Sequence, residues 1–185
     1  GQSTKRVCIP DVKSAIRWFK QHAKELGVDP NRIVAGGGSA GGHISLLGTN
    51  NPGLNDPNDP KGIDTAVAAY VLFNPALSKS DAKDPDVDFL RHLKADFGPA
   101  IAFFGSEDKW LKNGWTPVAA KMKSLGITSV DLRIAEGETH AFFNKQPWKD
   151  ITLIAADQFL NKLGYLKGKP TLSMPKSGET LAKRQ

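Results

Sequence analysis

Residues 33–42, IVAGGGSAGG, decide the fold of this chain, because they join an apolar run to glycines that flank a single hydroxyl. This order predicts a strand, a sharp turn and the start of a helix. Ser39 lies in a G-x-S-x-G pattern, with Gly37 two residues before it and Gly41 two residues after it. A serine in so tight a turn has a strained backbone, and we expect a side chain at either glycine to press against the neighbouring strand and helix.

This pattern is typical of the nucleophile elbow of serine hydrolases. The turn would also leave the Ala40 amide at a helix N-terminus, where negative charge on a substrate oxygen is favoured. Two alternatives stay open at this point. Ser39 could simply cap the helix. A phosphate-binding loop is the other alternative, but the chain has neither G-x-G-x-x-G in a full βαβ unit nor a terminal Gly-Lys-Ser/Thr.

Length and composition indicate one globular domain. The chain has 185 residues, of which 39% are apolar and 24% charged. No apolar run approaches the roughly 20 residues of a membrane helix, and no secretory leader pattern is visible, so we predict no membrane partner and leave the compartment open. Cys8 is the single cysteine, which excludes an internal disulfide and a cysteine zinc cluster. We predict neither cofactor nor metal, since the loop at 50–62 lacks the spaced ligands of a calcium-binding EF-hand loop.

The net charge of +6 is concentrated at the C-terminal end of the chain. Residues 162–185 hold six Lys and Arg against one Glu, and the remaining 161 residues carry a net charge of only +1. A nucleic-acid site needs basic residues clustered on a folded face, so we predict no nucleic-acid partner. Residues 166–185 are predicted to form an extended, solvated basic tail after a catalytic domain at 1–165.

Hydrophobic periodicity predicts alternating strands and helices, and therefore an α/β fold with a mainly parallel sheet flanked by helices. The first helix should bury the face that holds Val12, Ile16 and Phe19, with Lys13 on another face. A polar insert at 78–97 has one weak helical turn at 87–93. The predicted strands are 32–36, 65–73, 99–104 and 129–135, and the predicted helices are 10–26, 40–49, 115–125 and 150–163.

Active groups in such a sheet are expected beyond the carboxyl ends of the strands. Ser39, Asp108 and His140 follow the first, third and fourth predicted strands, in the order Ser, Asp, His. Ser39 would attack an acyl carbonyl, His140 would take and return the proton, and Asp108 would orient the imidazole. His43 is a weaker candidate for the base, because a side chain on the helix after the serine points back along that helix. The rival acids are Glu107, Glu136 and Glu138.

Four motifs together resemble the esterase/lipase group of the α/β-hydrolase fold, and bacterial acetyl-esterase and xylan-esterase-like enzymes in particular. They are GGGSAGGH at 36–43, LFNPAL at 72–77, FFGSEDKW at 103–110 and EGETHAFFN at 136–144, and the resemblance spans about residues 8–165. It implies that Ser39, Asp108 and His140 are nucleophile, acid and base, and that the Ala40 amide forms half of an oxyanion hole. It also implies a small-molecule substrate, an ester of a short acyl group, including acetyl groups on carbohydrate.

Aromatic residues near the acid and the histidine are expected to face this substrate or to pack in the core. We predict substrate contacts for Trp110 and Phe142, and weigh Trp115, Phe143 and Trp148 beside them. The same triad also serves serine peptidases of the prolyl-oligopeptidase type, and a non-catalytic fragment with a vestigial triad is the alternative outside enzymes.

The chain departs from the family pattern at its start. Members of the group carry several strands before the first helix found here, and the loop with the second oxyanion donor, of His-Gly-Gly-Gly type, lies among them. We therefore expect a preceding segment or a second chain to complete the sheet. Without one, the first strand would be an apolar edge that favours self-association.

Overall fold

A sheet of short strands forms the centre of the structure, a computed structural model that describes residues 4–184. The strands lie side by side in chain order, and neighbours are parallel except for the last pair. The predicted α/β fold with a mainly parallel sheet is thus confirmed. Within residues 4–184 the strands are β1 (Val34–Gly38), β2 (Ala69–Phe73), β3 (Ala100–Gly105), β4 (Val130–Ala135) and β5 (Ala182–Arg184).

Helices connect these strands and cover both faces of the sheet. Side chains of β3 alternate between the faces, as the period of a strand requires. Ala102 and Phe104 pack in the larger core with α1, α3 and α5, whereas Ile101 and Phe103 pack in a smaller core with α6. The helices of the described chain are α1 (Thr4–Gln21), α2 (Ala23–Leu26), α3 (Ala40–Asn50), α4 (Phe89–His92), α5 (Thr116–Ser124) and α6 (Trp148–Lys162).

The first helix differs from its prediction in both its start and its buried face. It begins at Thr4 rather than at residue 10, and Pro10 lies inside it. Phe19, expected in the core, is 48% exposed, and Lys13, expected on another face, is 1% exposed. The Lys13 ammonium donates to the carbonyl oxygens of Asn51 and Gly53 in the loop after α3. Burial lowers the pKa of Lys13 from 10.5 to about 8.

The burial of Lys13 has a simple physical cause. The pattern of apolar residues reports which side of a helix prefers a core, but it does not report that a distant polar loop will fold over the opposite side. In this chain the loop after α3 provides oxygen acceptors for two cations of α1. Arg17 donates to Ile63 O at 2.9 Å and forms an ion pair with Asp59 at 2.5 Å.

The C-terminal segment also differs from the predicted solvated tail. Residues 182–184 form β5, which pairs antiparallel with β4 through Leu132 and Arg184, Arg133 and Lys183, and Ile134 and Ala182. Leu181 and Ala182 are half-buried and pack against the two cores. The sheet therefore includes a strand that a basic composition did not predict. The predicted domain and tail also include residues 1–3 and 185, which lie outside the described residues.

Within residues 4–184, β1 lies at one edge of the sheet and β5 at the other. No helix of this part of the chain is long and apolar enough to cross a membrane. The same residues contain no group of three or more His, Cys, Asp or Glu side chains that could hold a metal ion.

Candidate active site

Ser39 lies at the turn between β1 and α3 with φ 53° and ψ −120°, a backbone conformation that residues with a side chain rarely adopt. Three hydrogen bonds hold this conformation in place. The Ser39 amide donates to Phe73 O at 2.9 Å, and its carbonyl accepts from the amides of Ala76 at 2.9 Å and His43 at 3.2 Å. The strained serine is therefore anchored both to its own helix and to the end of β2.

The glycines around the serine allow strand and helix to approach each other. A Cβ at Gly37 would lie 2.7 Å from the Gly41 carbonyl carbon, and one at Gly42 would lie 2.8 Å from Gly37 O. A Cβ at Gly41 would meet no atom within 4 Å. The expectation of crowding thus holds at Gly37 and is wrong at Gly41, because the close contact falls one residue later, at Gly42.

The structure brings Ser39, Asp108 and His140 into one hydrogen-bonded chain. His140 Nε2 lies 2.8 Å from Ser39 Oγ, and His140 Nδ1 lies 2.7 Å from Asp108 Oδ2. A carboxylate only accepts hydrogen bonds, so Nδ1 carries a proton and donates a hydrogen bond to Asp108. Nε2 then keeps its lone pair toward the serine hydroxyl, which is the arrangement that a general base requires.

Asp108 is 1% exposed and is held by three uncharged donors. Its Oδ1 accepts from the Trp110 amide at 2.9 Å, and its Oδ2 accepts from Asn74 Nδ2 at 2.9 Å as well as from His140. The loop that carries Asp108 contacts the loop that carries His140. A Cβ at Gly105 would lie 2.1 Å from Glu138 O, so only glycine permits this approach of the two backbones.

The rival carboxylates are directed elsewhere. Glu107 is exposed at the surface of the loop after β3. Glu136 forms an ion pair with Arg184 at 2.8 Å. Glu138 accepts a hydrogen bond from Trp148 Nε1 at 2.7 Å. Asp108 is the carboxylate that contacts His140.

His43 points away from the serine. Its ring is fully buried, and Nε2 donates to Val87 O at 2.9 Å. Nδ1 lies 3.7 Å from Asp81 Oδ2, too far for a direct hydrogen bond. Burial, assisted by the nearby charge of Lys5, lowers the pKa of His43 from 6.5 to about 4.

The aromatic residues near the triad separate into two groups. Trp110 is half-buried and stands edge-on to His140, with 6.4 Å between ring centroids. Phe142, predicted to contact substrate, is 1% exposed and packs against Trp148, so this prediction is wrong and the residue belongs to the core. Its neighbour Phe143 is half-buried and covers Gly38, where its Cζ lies 2.7 Å from the position a Cβ would take.

Two further groups complete the site. Ala40 is the first residue of α3, so its amide belongs to the donors that have no partner within the helix. Asn74, at the end of β2, contacts both Asp108 and His140, and the sequence reasoning assigned it no role. The available signal was its place in LFNPAL, since an amide side chain at the carboxyl end of a parallel strand lies where active groups gather.

Comparisons with known proteins point to esterases. A family model described as BD-FAE matches residues 2–77. The probable carboxylic ester hydrolase LipM of Mycobacterium tuberculosis is 34% identical over 129 residues, which cover 54% of this chain and 30% of LipM. Esterase LipC of the same organism is 39% identical over 95 residues, which cover 46% of this chain and 23% of LipC. The chain thus spans less than a third of the length of these two relatives.

Solved structures of Thermogutta terrifontis esterase 2 match most of the fold. The form phosphoramylated by tabun has a TM-score of 0.80 at 35% identity, covering 91% of this chain and 69% of that one. The propionate-bound form has a TM-score of 0.78 at 34% identity, with the same coverage. The butyrate-bound form matches with the same TM-score, identity and coverage as the propionate-bound form.

Proposed function

This chain belongs to the esterase group of the α/β-hydrolases, and we propose on that premise that it hydrolyses carboxylic esters of short acyl groups through an acyl-enzyme on Ser39. One observation carries the proposal: the continuous hydrogen-bonded chain from Ser39 Oγ through both nitrogens of His140 to Asp108. Each residue in that chain offers the atom that its role requires.

The first half of the reaction would form the acyl-enzyme. Ser39 Oγ bonds to the ester carbonyl carbon while His140 Nε2 takes the hydroxyl proton. The carbonyl oxygen becomes an oxyanion, to which the Ala40 amide donates. His140 then gives its proton to the alcohol oxygen as the bond between carbon and that oxygen breaks, and the alcohol leaves.

The second half would return the enzyme to its starting state. Water attacks the acyl carbon while His140 accepts one of its protons, and that proton passes to Ser39 Oγ as the acid leaves. Asp108 keeps its charge throughout and stabilises the imidazolium that forms in each half. Its burial and its three donors hold it in the orientation that this task requires.

The short acyl group is supported by the relatives and by the aromatic surroundings. Esterase 2 of Thermogutta terrifontis is known in propionate-bound and butyrate-bound forms. Phe143 lies over Gly38, the residue before Ser39. We expect its bulky ring to limit the space for an acyl chain. Trp110 is half-buried next to His140, and we expect it to contact the alcohol part of the ester, since an aromatic side chain suits a sugar ring such as that of an acetylated carbohydrate.

Labelling with a fluorophosphonate probe and turnover of p-nitrophenyl esters test the proposal. The unchanged chain should be labelled, with acetate to butyrate esters preferred over octanoate. Ser39→Ala should lose both labelling and turnover with an unchanged thermal melt, because only the nucleophilic oxygen is removed. Ser124→Ala, an exposed serine of α5, is the matched control and should behave as the parent.

Three outcomes would contradict the proposal. Full labelling of Ser39→Ala would remove Ser39 from its role. An unlabelled parent would favour a vestigial triad. Faster cleavage of peptide amides than of esters would favour a peptidase.

We also propose that the open edge of β1 associates with a second copy when this chain is produced alone. The edge strand carries no charged residue, and helix α1, which packs on α3 rather than on β1, exposes Trp18 (49%) and Phe19 (48%). Sedimentation velocity should show concentration-dependent association, which Trp18→Lys with Phe19→Lys should weaken. A stable monomer at all concentrations would contradict this proposal.

A further inference from the structure

Asn74 occupies a position with two local energetic costs. Its φ of 34° lies in the left-handed region, which a residue with a side chain rarely adopts. Its side chain is fully buried, and within the described residues Oδ1 has no hydrogen-bond partner. A buried polar atom without a partner destabilises the fold, because it loses its hydrogen bonds to water and gains none in return. Costs of this kind gather at functional sites, where the local geometry serves the chemistry.

The carboxamide faces the triad through its nitrogen. Nδ2 lies 2.9 Å from Asp108 Oδ2 and 2.9 Å from His140 Nδ1. If the amide were rotated by half a turn, Oδ1 would face the carboxylate and two acceptors would repel each other. The backbone fixes the position of the residue at the end of β2, because the main-chain amide of Asn74 donates to Phe103 O at 2.7 Å.

Two donors therefore converge on a single oxygen. The Asn74 and His140 nitrogens both donate to Asp108 Oδ2, and the two nitrogens lie 2.9 Å apart. A positive charge on the imidazole would strengthen the repulsion between these two donor groups, and the charged ring would share the carboxylate with Asn74. Asn74 therefore favours the neutral imidazole, which is the form that can take a proton from Ser39.

We propose that Asn74 is a positioning residue that anchors Asp108 and keeps His140 neutral, an inference that rests on the proposed function. The other charged groups near the histidine have partners of their own or are exposed to solvent. Glu138, on the loop of His140, accepts from Trp148. Lys109, on the loop of Asp108, lies 4.8 Å over the Trp110 ring. Glu107 is exposed.

An NMR titration of the His140 ring tests this role without any need for turnover, with the signal identified by its loss in His140→Gln. Asn74→Leu removes the donor and leaves little room for a replacing water, and Asn74→Gly removes it without backbone strain. The titration midpoint should rise by about one pH unit in Asn74→Leu, equivalent to a tenfold change in proton affinity. The acidic limb of kcat/KM should move by the same amount.

Asn51→Gly is the matched control, since Asn51 is also buried but donates to Asp86 O, outside the triad. It should leave the His140 midpoint unchanged. An unchanged midpoint in Asn74→Leu would overturn the proposal and reduce Asn74 to a structural anchor. If that variant does not fold, Asn74→Gly decides by the same criterion. An inactive parent would contradict the proposed hydrolase while leaving the NMR titration as a test of the Asn74 contact.

Discussion

Two pairs of aspartate and histidine flank the Ser39 elbow, and they differ in every property that matters for chemistry. In the first pair, His140 Nδ1 lies 2.7 Å from Asp108, and the histidine side chain is 32% exposed. In the second pair, His43 Nδ1 lies 3.7 Å from Asp81, and the histidine is fully buried. Only His140 reaches the serine, because its other nitrogen points to Ser39 Oγ and that of His43 points to Val87 O.

The aspartates differ as well. Asp108 is held by uncharged donors, so its charge remains available to an imidazolium on His140. Asp81 is already neutralised by Lys5 at 2.8 Å and also accepts from the Ser78 amide. A protonated histidine gains little electrostatic stabilisation from a carboxylate that already has a cationic partner, whereas burial disfavours the charge on the histidine. Proximity of an aspartate and a histidine to a serine is therefore not sufficient for catalysis. The aspartate must have no cationic partner, and Nε2 of the histidine must point to the serine.

The largest effect should come from removing the two histidines in turn. His140→Gln should reduce ester turnover by about 10⁴-fold or more, because the serine loses its base, and should leave the melting temperature nearly unchanged. His43→Gln should retain turnover within tenfold and lower stability by about 1–3 kcal/mol, because it disturbs a buried hydrogen bond. Turnover and urea unfolding on both variants check this. Equal losses of turnover would break the distinction between the two pairs.

The two aspartates should separate in the same way, with a smaller effect on turnover. Asp108→Asn should lower kcat by up to about 10⁴-fold, because an amide no longer selects the Nδ1–H form of His140. Asp81→Asn and Glu107→Gln are the controls, and both should stay within tenfold of the parent. Steady-state kinetics on the three variants measure this. If Glu107→Gln were as damaging as Asp108→Asn, the assignment of the acid would be wrong.

The smallest effect concerns acid stability. The pKa of His43 is about 4 in the folded protein and 6.5 when unperturbed, so between these values the unfolded chain binds more protons. The free energy of unfolding should therefore fall as the pH decreases from 6.5 to 4, by at most about 3 kcal/mol. Asp64 acts at more acidic pH, because the hydrogen bond from Lys20 lowers its pKa below 3.8.

Urea unfolding at pH 7 and pH 4.5 measures this loss. In His43→Gln the difference between the two pH values should shrink, since the titrating group is absent. A variant with the same acid sensitivity as the parent would show that another group causes it.

Local patterns predicted much of the fold. Alternation of apolar runs and helical periods placed the parallel strands within a few residues, and βα repetition indicated the sheet. The strand starts were less accurate: β1 begins at Val34 rather than residue 32, and β2 at Ala69 rather than residue 65. The start of a strand depends on which neighbouring segments pair with it and pack on it, and a run of apolar residues in the sequence does not report this.

Contacts between distant segments were the main source of error. Lys13 is buried because a loop about 40 residues later folds over it, and β5 forms because residues 182–184 find the free edge of β4. Phe142 and Phe143 are neighbours in the chain, and only the packing of α6 decides that Phe142 enters the core.

The sequence by itself determined the elbow at Ser39, the α/β order of the elements and the candidates Asp108 and His140. These follow from local chemistry: glycines that admit a strained turn, apolar periods, and polar residues directly after strands. The tertiary structure alone decided that Asn74 contacts both triad partners, and that His43 turns to Val87. These residues meet across separations of 34 to 66 positions, where the outcome depends on how packed strands and loops align in space.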